Sequence, residues 1–311
     1  MKKFLLLLTL LMLCSCAEKP SEKTVFAMDT VMSISIYGDC TDEIIEIIND
    51  YERIFSPTRS DSVLSSINRG EDVHDDVFDN VLESATALSA ATGGAFDPTL
   101  GNLIDVWSRG SVPSISDIDK ALATSGADKI NNGAKLNLSA IAKGALSDAI
   151  YQKLCENEIK SAILSLGGNV LAFGEKPDGA PWTVGLRNPK GDAESYLGTI
   201  SVRDKFVVSS GDYERYFEQD GVRYHHILDP NTGYPARNDL HAVTVIAENG
   251  ALADAYSTAL FVMGCEQALD FWRESGEFEA VFVLDDKVIV TDGIENFNLT
   301  DEGYIYEVAH R

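Results

Sequence analysis

The order of segments predicts an α+β (mixed α/β) fold, with a mostly β C-terminal half and flanking helices. Three observations carry this. Helix-period apolar patterns fill much of the first half of the chain. From residue 161 onward, short runs rich in Val, Ile and aromatic residues dominate, punctuated by Gly, Pro and Asp. The two kinds mix without the regular strand–helix–strand beat that builds a parallel sheet.

Residues 25–37 alternate loosely and are rich in Val, Ile and Ser, so they read as one strand. Asp42 can cap a helix over 43–53, with Ile44, Ile47 and Ile48 on one face. A polar loop follows over 56–62. A second helix runs over 75–91 and stops at Gly93-Gly94. Phe96-Asp97-Pro98 leads into a short helix ending near Trp107, and 113–123 is helical. Small residues open a helix over 141–155. Short strands then fall at 161–166, 170–173, 182–186, 196–202, 206–208, 224–228 and 241–247. A helix over 252–263 continues or restarts at 266–274, and strands at 281–284, 288–290 and 304–307 close the chain. No repeat, low-complexity tract or long linker divides it, so residues 24–311 read as a single domain.

The chain has 311 residues, 45% apolar and 24% charged, ample for a buried core. Its net charge of −24 comes from 25 Lys+Arg against 49 Asp+Glu. Such a surface repels phosphate backbones and anionic bilayers, which excludes nucleic acid and basic-patch membrane adsorption. The N-terminus differs in kind. Lys2 and Lys3 precede an apolar run over 4–13, too short to span a bilayer core of about 30 Å but suited to a signal peptide. Leu13-Cys14-Ser15-Cys16 resembles a bacterial lipobox. The expectation is loss of residues 1–15, a lipid on Cys16 and a tether over 16–23. The protein would then be exported and lipid-anchored to a bacterial membrane, facing the periplasm or cell exterior. Cys40, Cys155 and Cys265 are widely separated and read as buried free thiols, with no cysteine-ligated metal.

Five segments could carry chemistry. Asp254 and Thr258 stand one helical turn apart with Ser257 beside them, a pattern that fits a hard-cation site but, taken alone, fits better a solvated or capping Asp among packed hydroxyls. His225 and His226 are adjacent on an expected strand and point to opposite faces, so at most one enters a site, as acid/base or as a structural group. Lys143, in the first turn of a helix, suits a phosphate. Gly167-Gly168 and Ser209-Ser210-Gly211 are turns where a backbone can approach a ligand. No GxGxxG or P-loop pattern is present.

Together these segments resemble the ApbE family of flavin transferases. The matching blocks run in one order. They are Phe26-Ala27-Met28-Asp29-Thr30, the stretch from Phe55-Ser56 to Asn68, Thr92 to Thr99 with Trp107, and Asn137 to Asp148. Leu166 to Asn169, Ser210 to Tyr213, His226 to Pro235 and Ala253 to Thr258 follow. The resemblance implies that Met28, Ala95, Phe96 and Asp97 border FAD, and that Lys143, His226, Ile227 and Leu228 line its pocket. It implies that the carbonyl of Ala140, with Asp254, Thr258 and an assisting Ser257, holds Mg²⁺, and that His226 is the acid/base. Asn137 and Thr58 also align with FAD-contacting positions, where relatives often carry Asp and an aromatic residue. Asp29 stands where many carry Gly. The implied reaction joins FMN from FAD to a threonine of an acceptor protein and releases AMP. The implied acceptors are subunits of membrane redox pumps. Two other readings stay open: a Mg²⁺-dependent FAD pyrophosphatase, and a flavin-binding lipoprotein without activity.

Overall fold

The computed structural model describes residues 19–130, 133–192 and 194–311. The stretch expected as a signal peptide, residues 1–15, and Cys16 lie outside the described residues. The chain opens with a hairpin, β1 (Ser21–Ala27) and β2 (Thr30–Ile36), where sequence pattern predicts one strand. The break falls at Met28 and Asp29, with φ of 49° and 58°. A two-residue turn with both residues left-handed matches the twist of the strands it joins. No Gly or Pro marks it, so the alternation reads straight through. β1 also begins inside the stretch expected as tether, so residues 21–23 belong to the sheet.

Helices α1 (Thr41–Phe55), α2 (Val63–Asn68), α3 (Asp76–Ala91), α4 (Gly101–Trp107), α5 (Ile115–Leu122) and α6 (Ala142–Glu156) follow. Side-chain caps start several of them: Ser62 accepts from the Ser65 amide, Asp75 from Val77 and Phe78, and Ser114 from Asp117. Next come β3 (Ser161–Leu166), β4 (Asn169–Gly174), β5 (Trp182–Arg187), β6 (Tyr196–Val202), β7 (Lys205–Gly211), β8 (Tyr216–Gln219), β9 (Val222–His225) and β10 (Ala242–Ala247). Helices α7 (Gly250–Met263) and α8 (Cys265–Ser275) precede β11 (Phe278–Val283), β12 (Lys287–Thr291), β13 (Asn298–Leu299) and β14 (Ile305–Ala309). The strand expected over 224–228 ends early. β9 stops at His225 and pairs with β8, and Leu228 only bridges Pro235.

Nine strands form one sheet in the order β1-β2-β3-β4-β7-β10-β11-β12-β14. Its neighbours are antiparallel except the parallel β12–β14 pair. One face carries Ile34, Leu164, Val243 and Phe282 against Ile44, Phe78, Leu146, Leu260 and Trp272 of the helices. The other face carries Val207, Ile246, Val281 and Val290 against Val184, Leu197 and Ile200 of a small sheet ordered β13-β6-β5. β10 is buried along its whole length, as a strand covered on both faces must be.

Helices α6 and α7 cross at Gly144 and Gly250. A Cβ on Gly144 would sit 2.2 Å from the Gly250 carbonyl oxygen, so only glycine permits this approach. Asp148 of α6 accepts from the amides of Gly250 and Ala251 and closes the start of α7. Cys40 and Cys265 are buried free thiols, but Cys155 is exposed on the outer face of α6, against expectation. Among the described residues no helix is long and apolar enough to cross a membrane.

Candidate active site

A cleft of about 520 Å³ opens where the β1–β2 turn, the start of α6, the ends of β4, β5 and β7, and the middle of α7 converge. The helical crossing shapes its floor. Because Gly144 and Gly250 touch, Asp254 of α7 comes against the first turn of α6, and its Oδ2 accepts from the Gly144 amide at 2.9 Å. That amide would otherwise bond the carbonyl four residues back, at Ala140. The Ala140 carbonyl thus receives no hydrogen bond among the described residues, and Ala140 lines the cleft with Asp254 and Thr258. Asp254 is only 4% exposed, and its Oδ1 has no donor among the described residues.

These three oxygens suit a hard cation that keeps most of its ligands as water or phosphate. No cluster of three or more His, Cys, Asp or Glu capable of holding a metal occurs among the described residues. Asp254 is thus the one carboxylate of this donor set, and Mg²⁺ shared with a phosphate-bearing ligand fits it. Ser257, expected as an assisting ligand, does not line the cleft. It is fully buried, donates to the Asp254 carbonyl at 2.9 Å and pairs with the Ser210 hydroxyl at 2.8 Å. Its position supports Ser210, which does line the cleft.

His226 follows β9 and faces the cleft. Its Nδ1 lies 3.3 Å from the Arg215 carbonyl, which can only accept. Nδ1 therefore carries the proton, and Nε2 is left as the acceptor. Water reaches the ring through the cleft mouth, yet protein crowds it. That desolvation, with His225, Arg215 and Lys143 nearby, lowers its pKa to about 4 and keeps it neutral at pH 7. His225 turns the other way, with Nε2 on the Ala236 carbonyl and its ring edge-on to Phe261. It is the structural member of the pair.

The apolar wall comes from Met28, Phe55, Ala95, Phe96, Ile227 and Leu228. Asp97 accepts from the Thr99 amide and hydroxyl, which holds the turn bearing Phe96. Asn137 lines the cleft while its Oδ1 accepts from the Ser139 amide. Lys143 also lines it. Thr58, expected at the flavin, does not. Ser56 and Pro57 hold that part of the wall, and Thr58 only pairs with the Ser56 hydroxyl at 3.2 Å.

The cleft also contains groups that sequence reasoning did not single out. Arg187 at the end of β5 and Arg215 after β7 join Lys143, so three cations face Asp29, Asp97, Glu214 and Asp254. That is near parity in a chain with twice as many acids as bases. Arg187 lies over the Tyr213 ring at 4.8 Å. Its Nε and the Nδ2 of Asn169 are buried without an acceptor, and Asn169 is 2% exposed. Buried donors of this kind ordinarily have partners, so a ligand rich in oxygen suits this end of the cleft.

The sequence profile of the ApbE family matches residues 28–282, most of the chain and all of the cleft. The chain belongs to the ApbE family. Two similar curated proteins are both named FAD:protein FMN transferase. The one from Klebsiella pneumoniae is 34% identical over 84% of this chain and 88% of its own length. The one from Treponema pallidum is 34% identical over 86% and 83%. Among solved structures, the ApbE protein of Thermotoga maritima superposes with a TM-score of 0.78 at 34% identity, covering 86% of this chain and 94% of that one. The flavin transferase ApbE of Vibrio cholerae gives 0.76 at 27% identity, covering 90% and 96%. Every block read as ApbE-like from the sequence, apart from the Thr58 and Ser257 positions, contributes to this one cleft or to the turns that hold it.

Proposed function

We propose that this chain transfers FMN from FAD to a threonine hydroxyl of an acceptor protein and releases AMP. The observation that carries the reading is the free Nε2 of a neutral His226 in the same cleft as Asp254, Thr258 and the unpartnered Ala140 carbonyl. The hydroxyl oxygen attacks the phosphorus on the riboflavin side of the pyrophosphate. The new P–O bond forms as the bond to the AMP phosphate oxygen breaks. His226 takes the hydroxyl proton at Nε2, and AMP leaves with the bridging oxygen. Asp254, Thr258 and the Ala140 carbonyl would hold Mg²⁺, which neutralises phosphate oxygens as charge develops on the leaving group. Lys143, Arg187 and Arg215 bring the remaining positive charge to the cleft, and Phe55, Phe96 and Met28 offer an apolar seat for the flavin ring.

The test is incubation with FAD, Mg²⁺ and the soluble domain of a redox-pump subunit carrying a threonine flavinylation motif. Covalent flavin on the acceptor with stoichiometric AMP is the expected result. His226→Ala should lower transfer by about 10²–10⁴-fold and still bind FAD. Equal rates for wild type and variant would remove His226 from the mechanism.

Hydrolysis of FAD to FMN and AMP on the same site is the second reading. The observation in its favour is the small Thr58, which lies outside the cleft wall and leaves the flavin seat without an aromatic cover there. Free FMN in place of acceptor-bound flavin would select it.

We further propose that Cys16 carries the lipid that holds the protein to its membrane. Support comes from the lipobox-like Leu13-Cys14-Ser15-Cys16 and from the start of β1 only five residues later, a reach of about 18 Å. Labelled fatty acid should enter the wild type and not Cys16→Ser; label in both would sink this placement.

A further inference from the structure

The small sheet covers only part of the face it packs on. Its hydrophobic contacts lie on β4, β7, β10, β11 and β12, and none falls on β1, β2 or β3. The outward face of those three strands is therefore an open shelf. Along it the side chains are mostly polar, with Thr24 opposite Ser33, Ser33 opposite Ser165, Glu22 opposite Ser35 at the far end, and a half-buried Ile163 beside Ser35. At the end nearest the cleft the character changes. Phe26 and Val31 stand directly opposite each other across the hairpin, 72% and 58% exposed. Met28, Asp29 and Thr30, three of the four residues between them, wall the cleft. From Thr24 to Ser33 the only charge is Asp29, on a chain of net charge −24.

We propose that the Phe26–Val31 pair is the docking contact for the protein acceptor, seating an apolar side chain that neighbours its reactive hydroxyl. This rests on the transferase reading, since it supposes a protein that must bring a hydroxyl into the cleft. Continuity with the cleft argues for the acceptor as occupant. A protein reaching the phosphorus must pass the mouth, and the hairpin turn is one of its walls. The absence of charge argues the same way. An acidic enzyme that presents a neutral, apolar step beside its active site offers a surface that desolvates at little cost. An exposed aromatic paired with an aliphatic residue is the kind of anchor that concentrates binding energy. FAD itself has no need of these two side chains, because neither lines the cleft.

The experiment compares the full chain with the Phe26→Asp/Val31→Asp double variant. The probe is the soluble domain of a redox-pump subunit carrying a threonine flavinylation motif. The expected result is a rise of about tenfold or more in KM for the acceptor. FAD affinity, melting temperature and kcat at saturating acceptor stay at wild-type values. Phe26→Leu/Val31→Ile, which keeps the patch apolar, retains the wild-type KM. Phe26→Ser/Val31→Ser guards against a folding effect of the paired charges. An unchanged acceptor KM in both polar variants would overturn the proposal. So would a wild-type dimer that the variants convert to monomer, since the patch would then serve self-association. If the wild type binds FAD but flavinylates no acceptor, the transferase reading itself falls, and that outcome is visible before any variant is made.

Discussion

On one face of the nine-stranded sheet, α6 and α7 cross through a glycine contact and present Lys143, Ala140, Asp254 and Thr258 to a cleft. On the other face, β5, β6 and β13 bury Val184, Leu197 and Ile200 and contribute one residue to that cleft, Arg187 at the end of β5. Both faces are apolar and tightly packed, yet the chemistry gathers on one. The reason lies in what each element leaves unpaired. A helix ends with free amides or carbonyls, and a turn of small residues can expose one to a ligand. A strand inside a sheet has its backbone groups committed to neighbours, and only its end is free. The cleft accordingly collects a helix start, strand ends and the side chains that the middle of α7 turns toward them, while the small sheet serves chiefly as packing. The two faces should respond differently to substitution, in activity on the helical side and in stability on the other.

The largest effect should come from Asp254→Asn. Asparagine keeps an oxygen for the Gly144 amide, so the crossing of α6 and α7 survives and melting should shift little. The charge at the proposed cation site is lost, and transfer in Mg²⁺ should fall by about 10³-fold or more. Near-normal turnover with FAD, Mg²⁺ and acceptor would mean that the helical face does not hold the metal. An intermediate effect is expected across the sheet at Leu197→Ala. Leu197, on β6 of the small sheet, is fully buried against the large one, and its truncation should cost about 2–5 kcal/mol in denaturant unfolding. Transfer per folded molecule should be unchanged. A matching loss of specific activity would show that the two faces are coupled, and would break the contrast between them.

The same contrast explains what could be read in the sequence. Long apolar periods gave α1, α3, α6 and α7 nearly to their ends, because packing reinforces local preference there. The β8–β9 hairpin, the short α2 and the turn at Met28-Asp29 were not read. Their conformations depend on tertiary contacts, such as the stack of Phe217 and Tyr224 beside Trp107. In the site, Asp254 and Thr258 were legible because one helical turn relates them. Arg187 and Arg215 were not, since each is a lone cation whose meaning arises only when distant strand ends meet. Asn169 had a signal, the Gly167-Gly168 turn before it, but its buried and unpartnered amide is visible only in three dimensions. Thr58 and Ser257 are the reverse case. The resemblance implies them at the ligand, and packing places them one layer behind the cleft wall.

The smallest effect should come from Asp29, at the edge of the catalytic face. Its φ of 58° puts a side chain in the left-handed region, which costs an L-residue roughly 1–2 kcal/mol and less for Asp. Asp29→Gly removes that cost but adds chain entropy to the unfolded state, so the net gain should be only about 0.5 kcal/mol. The turn keeps its tie to the body of the protein, because Arg215 bonds the Asp29 carbonyl and not its carboxylate. The substitution also removes a negative charge from a cleft proposed to bind a pyrophosphate. FAD affinity should therefore rise slightly, by about threefold at most for an exposed charge in physiological salt. A lower melting temperature would show that the carboxylate itself supports the turn. Weaker FAD binding would show that this wall contacts the ligand through Asp29, and would extend the functional face to the tip of the hairpin.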